Sequence, residues 1–231
     1  IIFAVPSPFV RATARKAAPY IADGQIIVDV AKGIEAETLH TMTEIIADEL
    51  KNPKASLVAL SGPTHAEEVI KDLPTAITSA SYNPEAATTV QKVFNVGCMR
   101  VYTNDDVRGV ELCGALKNII ALACGIASGL GCGDNAKAAL ITRGIAEISR
   151  LGIAMGCREQ TFGGLTGIGD LVVTATSIHS RNNRCGMLIG QGVAVDTAVK
   201  QVGMVVEGLN ALPAAIKLAK KYNVEMPIVE A

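Results

Sequence analysis

QIIVDVAKG, residues 25–33, is the stretch on which the fold turns: a β-branched apolar run that stops abruptly at a lysine and a glycine. Its apolar residues are consecutive rather than alternating, the pattern of a strand covered on both faces. The same pattern recurs on either side, in IIFAVPSP (1–8) and SLVALSGP (56–63). Between them lie helical stretches, FVRATARKAAPYI (9–21) and the segment from Glu37 to Leu50. THAEEVIKD (64–72) begins a third helix, and PEAATTVQKVF (84–94) separates two further strands, TAITSAS (75–81) and MRVYTND (99–105). Strand–helix–strand repetition predicts a parallel sheet with right-handed crossovers.

Beyond Asp106 the texture changes. Val107 to Ser128 reads as one long apolar helix and Asn135 to Met155 as another. A glycine-rich segment, GGLTGIGD (163–170), leads into LVVTATS, and the chain is helical in composition from about Asp196. The expected boundary falls near Asn104–Asp106, giving an α/β part over residues 1–105 and an all-α part over 106–231.

Composition narrows the function. The 231 residues are 49% hydrophobic and 19% charged, which excludes a disordered tail. A formal net charge of −1 offers no basic footprint for nucleic acid or an anionic membrane. With no Trp and only 3% aromatic residues, a β-sandwich is disfavoured. The six cysteines form no C-x-x-C pair and do not cluster with His40, His65 or His179, so no metal site is expected. Such thiols suit a reducing cytoplasm. The longest apolar run, Ile119 to Leu130, is too short to span a bilayer, and no signal-peptide pattern is present. The chain starts at Ile1 inside a strand and stops at MPIVEA, so sequence is expected to continue at both ends.

In an open parallel sheet, ligands bind beyond the carboxyl ends of the strands. Three turns lie there: PSP (6–8), AKG (31–33) and SGP (61–63). They read as ordinary turns or as ligand contacts, with Lys32 supplying a cation. GCGDNA (131–136) spells a dinucleotide fingerprint on paper, but helical sequence precedes it where a strand is required; it reads as a helix–helix connection. Lys117 interrupts an apolar helix in GALKNII. It is either a snorkelling lysine or a desolvated proton shuttle. Asp170 closes a glycine-rich approach to a helix, as an N-cap or a functional carboxylate. Arg181 or Arg184 in SRNNR is either part of a solvated turn or a forked clamp for a phosphate. His65 is a ligand contact or a solvated turn residue. His40 and His179 show no partner in sequence, and Glu207 alone reads as surface.

Taken in order, AKGIE, SGPTHAEEV, the long block GVELCGALKNIIALACGIASGLGCGDNAKAALITRGIAEISRLG, TFGGLTGIGDLVVTATS, SRNNR and VVEG resemble the bacterial NAD(P)-dependent glycerol-3-phosphate dehydrogenases. The resemblance covers nearly the whole chain. It implies part of a Rossmann-type domain followed by an α-helical domain of the 6-phosphogluconate-dehydrogenase type. It also implies interconversion of dihydroxyacetone phosphate and sn-glycerol 3-phosphate with NAD(H) or NADP(H), supply of phospholipid synthesis, and a homodimer. By this resemblance Lys117 matches the catalytic acid/base, and Lys32 lies near nicotinamide and substrate. Gly62, Thr64 and Asp170 match substrate contacts, as do Ser180, Arg181 and Asn182 at the phosphate. Ala66, Val205 and Glu207, together with Arg181, match cofactor contacts. The family's glycine-rich dinucleotide loop has no counterpart in residues 1–231 and is expected upstream of Ile1, so the choice between NADH and NADPH stays open. A related hydroxy-acid or sugar-acid dehydrogenase, or a non-catalytic nucleotide-binding protein, is the alternative.

Overall fold

The computed structural model describes residues 1–231. Strand β1 (Ile2–Phe3) leads through a short turn to helix α1 (Val10–Ala17), and β2 (Ile26–Asp29) follows. Helix α2 (Met42–Leu50), β3 (Ser56–Ser61), the single turn α3 (Ala66–Val69), β4 (Thr75–Ala80), α4 (Pro84–Phe94) and β5 (Met99–Asn104) complete the sheet region. The five strands lie side by side in chain order.

Three of the four pairings are parallel, but β3 and β4 are antiparallel, with Leu60 opposite Ser79. The all-parallel expectation fails there for a simple reason. A parallel return needs a crossover of a dozen or more residues, usually a helix. The helix expected over residues 64–72 is only Ala66–Val69, so the chain turns at the strand ends and runs back. The helix expected from Glu37 also starts late, at Met42. Residues 34–41 close a small bridge between Ile34 and Thr41 instead. The helix opens at a capping box, in which the Thr41 N–H donates to Glu44 Oε2 at 2.9 Å.

After Asp106 the chain is helical: α5 (Val107–Gly129), α6 (Asp134–Ala154), α7 (Glu159–Phe162), α8 (Asp170–Thr176), α9 (Arg181–Gly190), α10 (Val195–Val202), α11 (Glu207–Tyr222) and α12 (Pro227–Glu230). Asp106 caps α5 by accepting from the Gly109 N–H, and its other oxygen accepts from the Arg158 N–H and the Thr161 hydroxyl. The start of the long helix and the α7 region are thereby tied to one carboxylate.

Helix α5 is the axis of this part, and α6, α8, α9 and α11 pack around it. At 23 residues it is long and apolar enough to cross a membrane, longer than the apolar run in sequence suggested, yet 83% of its most apolar window is buried inside the fold. It is hydrophobic all round, as a central core helix should be. Its contact with α9 is backbone-close. A Cβ on Gly125 would sit 2.1 Å from the Asn183 carbonyl oxygen, and one on Gly186 2.1 Å from that of Leu122. The GCGDNA segment lies in the connection from α5 to the start of α6, as its context implied.

Candidate active site

The ends of β1 and β2, the loop after β3, the middle of α5 and the starts of α9 and α11 surround one cavity of about 570 Å³. Nine residues singled out in the sequence line it: Lys32, Thr64, Ala66, Lys117, Ser180, Arg181, Asn182, Val205 and Glu207. Two others, Gly62 and Asp170, sit immediately behind its wall and are hydrogen-bonded to it through Lys32.

The chemistry centres on Asp170. Its Oδ2 accepts from Lys32 Nζ at 2.7 Å, and its Oδ1 accepts from Lys117 Nζ. Lys32 also donates to the Gly62 carbonyl at 3.0 Å. Lys117 also donates to Thr174 Oγ1 at 2.7 Å, while that hydroxyl donates to the Asp170 carbonyl at 2.6 Å. One carboxylate thus joins the strand-end lysine of the sheet to the lysine of the central helix.

Lys117 is 5% exposed, so the snorkelling reading fails: the ammonium is held inside, facing a partner. Asp170 is 1% exposed and is the first residue of α8, with Gly169 at the cap position; its side chain serves the lysines rather than the helix end. Burial, and then the neighbouring Lys32 ammonium, bring Lys117 down to about 7, against the pull of Asp170. Burial alone would raise the Asp170 carboxyl. The two ammonium groups outweigh it and hold the carboxyl below its usual range. A lysine poised near neutrality beside an ionised carboxylate can give or take a proton at working pH.

The neighbouring polar groups are fixed by α9 and α11. Ser180 caps α9, its Oγ accepting from the Asn183 N–H at 3.2 Å. Asn182 donates to Asn118 Oδ1 at 2.9 Å and accepts from the Gly208 N–H at 2.8 Å, joining α5, α9 and α11. Arg181 is exposed at the cavity wall, whereas Arg184 is exposed outside it, which removes Arg184 as a clamp. Glu207, a surface residue by its sequence context alone, lines the cavity and accepts from the Ser7 hydroxyl at 2.6 Å and the Ser7 N–H at 3.3 Å.

Residues 1–87 match the family described as NAD-dependent glycerol-3-phosphate dehydrogenase N-terminus, and residues 106–231 match its C-terminus counterpart. The chain belongs to the NAD-dependent glycerol-3-phosphate dehydrogenase family. A relative from Lactobacillus delbrueckii subsp. bulgaricus, named a glycerol-3-phosphate dehydrogenase (NAD(P)+), is 65% identical over 99% of this chain and 69% of its own length. One of the same name from Fusobacterium nucleatum is 55% identical over all of this chain and 69% of its own length. The crystal structure of the glycerol-3-phosphate dehydrogenase of Coxiella burnetii superposes with a TM-score of 0.95 at 40% identity, covering 100% of this chain and 70% of that one.

Within this glycerol-3-phosphate dehydrogenase chain, sequence reading passed over several cavity residues. Asn118 and Thr174 have ordinary helical neighbours in sequence. Thr174 had one usable signal, its place one turn after Asp170. His179, without a sequence partner, lines the cavity beside His65, their ring centroids 6.1 Å apart.

Proposed function

We infer that this chain interconverts dihydroxyacetone phosphate and sn-glycerol 3-phosphate by hydride transfer with NAD(H) or NADP(H). The observation that carries the reading is the Lys32–Asp170–Lys117 bridge at one wall of the cavity. Family membership adds the substrate class.

The cavity also suits the cofactor. Arg181 provides a cation for phosphate oxygens, and Glu207, already accepting from a hydroxyl, is an acceptor of the kind ribose hydroxyls require. Lys32, Ala66 and Val205 complete the proposed cofactor contacts. When bound, the nicotinamide supplies hydride to the ketone carbon or removes it from the alcohol.

The chain's own residues do the rest. Lys117 in its ammonium form donates to the carbonyl oxygen and gives its proton as the alkoxide develops. In the reverse direction the neutral amine takes that proton. Asp170 orients Lys117 and Lys32, favouring the charged forms of both. Lys32, Gly62 and Thr64 contact the carbonyl end of the substrate. Ser180, Arg181 and Asn182 take its phosphate, so that remote binding energy aligns the carbonyl with Lys117.

We place the division of labour at residues 105 and 106, with nucleotide binding before and substrate chemistry after. A cytoplasmic homodimer feeding phospholipid synthesis completes the reading. Its support is the family resemblance and, for the compartment, six free cysteines. The test is to follow nicotinamide absorbance with dihydroxyacetone phosphate, comparing NADH with NADPH. Rapid oxidation supports the assignment and names the preferred cofactor. No oxidation by a folded protein that binds nucleotide overturns it.

A further inference from the structure

Two imidazoles stand in the cavity wall with no assigned part in the reaction. His65 lies between Thr64 and Ala66 in the loop after β3; His179 precedes Ser180 in the loop between α8 and α9. Their rings face each other across the cavity at 6.1 Å between centroids, tilted by 58°. His65 Nε2 is buried and makes no hydrogen bond within the chain. The pair is therefore contributed by two separate parts of the fold and flanks the groups proposed to hold the substrate phosphate.

We propose that His65 and His179 form a proton-dependent anion contact at the phosphate end of the cavity, binding the phosphate monoester of the substrate more tightly when the imidazoles are charged. This rests on the dehydrogenase reading above.

Imidazole is the side chain whose charge changes in the physiological range, so an unassigned pair beside a phosphate subsite is a natural tuning element. Two imidazolium ions about 6 Å apart oppose one another, and an oxyanion between or beside them relieves that repulsion. Anion binding and proton uptake are then linked: each favours the other.

The surrounding charges set the balance. Arg181 adds a fixed positive charge from α9. Glu67 of α3 faces the same group: its carboxyl is held below its usual range first by its own backbone N–H and then by His179, His65 and Arg181. Lys32 and Lys117 supply cations from β2's end and α5, compensated by Asp170, and Glu207 closes the cavity from α11. Glu67 keeps the empty pair from carrying a large uncompensated charge, while an arriving dianion adds the counter-charge that favours protonation of both rings.

Inorganic sulfate is the probe, because it stays dianionic from pH 5 to 9 while the substrate phosphate titrates. Its inhibition constant against dihydroxyacetone phosphate is measured at pH 6 and pH 8. The wild type should bind sulfate about five- to tenfold more tightly at pH 6, and H65Q/H179Q should lose about threefold or more of that difference. Any remaining pH dependence belongs to Lys117. The NADH dissociation constant should be unchanged. In the wild type, the imidazole C2–H resonances of His65 and His179, assigned from the single variants, should titrate at higher pH with sulfate present. His40, paired with Asp48 at 2.8 Å, is the internal control and should not move.

An unaltered sulfate pH dependence in the variant overturns the proposal, as do static imidazole midpoints. A weakened NADH affinity with unchanged sulfate inhibition also overturns it, moving the pair to the cofactor diphosphate. The resonance experiment needs no folded variant for its main outcome, since sulfate either shifts two of the histidine signals or none. Turnover with dihydroxyacetone phosphate alongside any of these negatives leaves the dehydrogenase reading intact; absence of turnover would mark the failure of that reading instead.

Discussion

At the scale of single residues, the reactive group is a lysine whose charge the fold makes adjustable. Lys117 sits near 7 because burial and Lys32 disfavour its cation while Asp170 favours it. The acid form dominates below that value and the base form above it. Ketone reduction should therefore lose kcat/KM as pH rises through about 7, and alcohol oxidation should gain it, in initial-rate pH profiles. Lys117→Ala should lower turnover by roughly 10²- to 10⁴-fold with little change in nicotinamide affinity; a variant that turns over like the parent would refute the acid/base role. A second buried acid behaves differently. Asp29, 2% exposed at the end of β2, is raised to about 8 by burial and then by the neighbouring Glu111. It holds a proton in the fold that it loses when unfolded, so its contribution to stability is present at acid pH and is lost as pH rises through about 8. Asp29→Asn should flatten the fall in Tm between pH 5 and pH 8; an equal fall in both proteins would show that Asp29 is not the group responsible.

At the scale of elements, the site's precision comes from how closely helices approach. Gly125 and Gly186 let α5 and α9 meet backbone to backbone, which holds the Ser180–Asn182 segment against the helix that carries Lys117. The residues opposite are carbonyl groups, not flexible side-chain ends, so a methyl can be accommodated only if a helix moves. Gly125→Ala should cost about 1–3 kcal/mol in chemical denaturation and raise KM for the phosphorylated substrate. The sheet carries a similar lesson. SLVALS and TAITSA were legible as strands from their β-branched runs, but their relative direction was not. That depended on how little of residues 64–72 is helical, and a four-residue turn does not span the sheet.

At the scale of the whole molecule, one buried carboxylate fastens the sheet region to the helical region. Glu111 of α5 accepts from the Thr41 hydroxyl at 2.7 Å, the Thr43 hydroxyl at 2.5 Å and the Thr43 N–H at 2.8 Å, pinning the start of α2. Lys32–Asp170 and Ser7–Glu207 make further links across the same cleft. Glu111→Ala should strand these donors and cost about 2–4 kcal/mol, with Glu111→Gln restoring part of it in thermal unfolding. If the alanine variant melts like the parent, the fastening lies elsewhere.

The sequence by itself determined the strand-rich beginning and helical remainder, the central apolar helix, and the residues worth watching: a lysine at a strand end, a lysine in an apolar helix, a carboxylate after glycines and a polar SRN cluster. These are written in local composition and periodicity, which act between neighbours in the chain. The tertiary structure decided which of them meet. Lys32 and Asp170 are 138 positions apart and Ser7 and Glu207 are 200 apart. No local pattern distinguishes a surface glutamate from one that lines a cavity, or a snorkelling lysine from one held inside. That difference is made by what packs opposite, because burial and the facing charge, not the residue's neighbours in sequence, set its protonation and its partners.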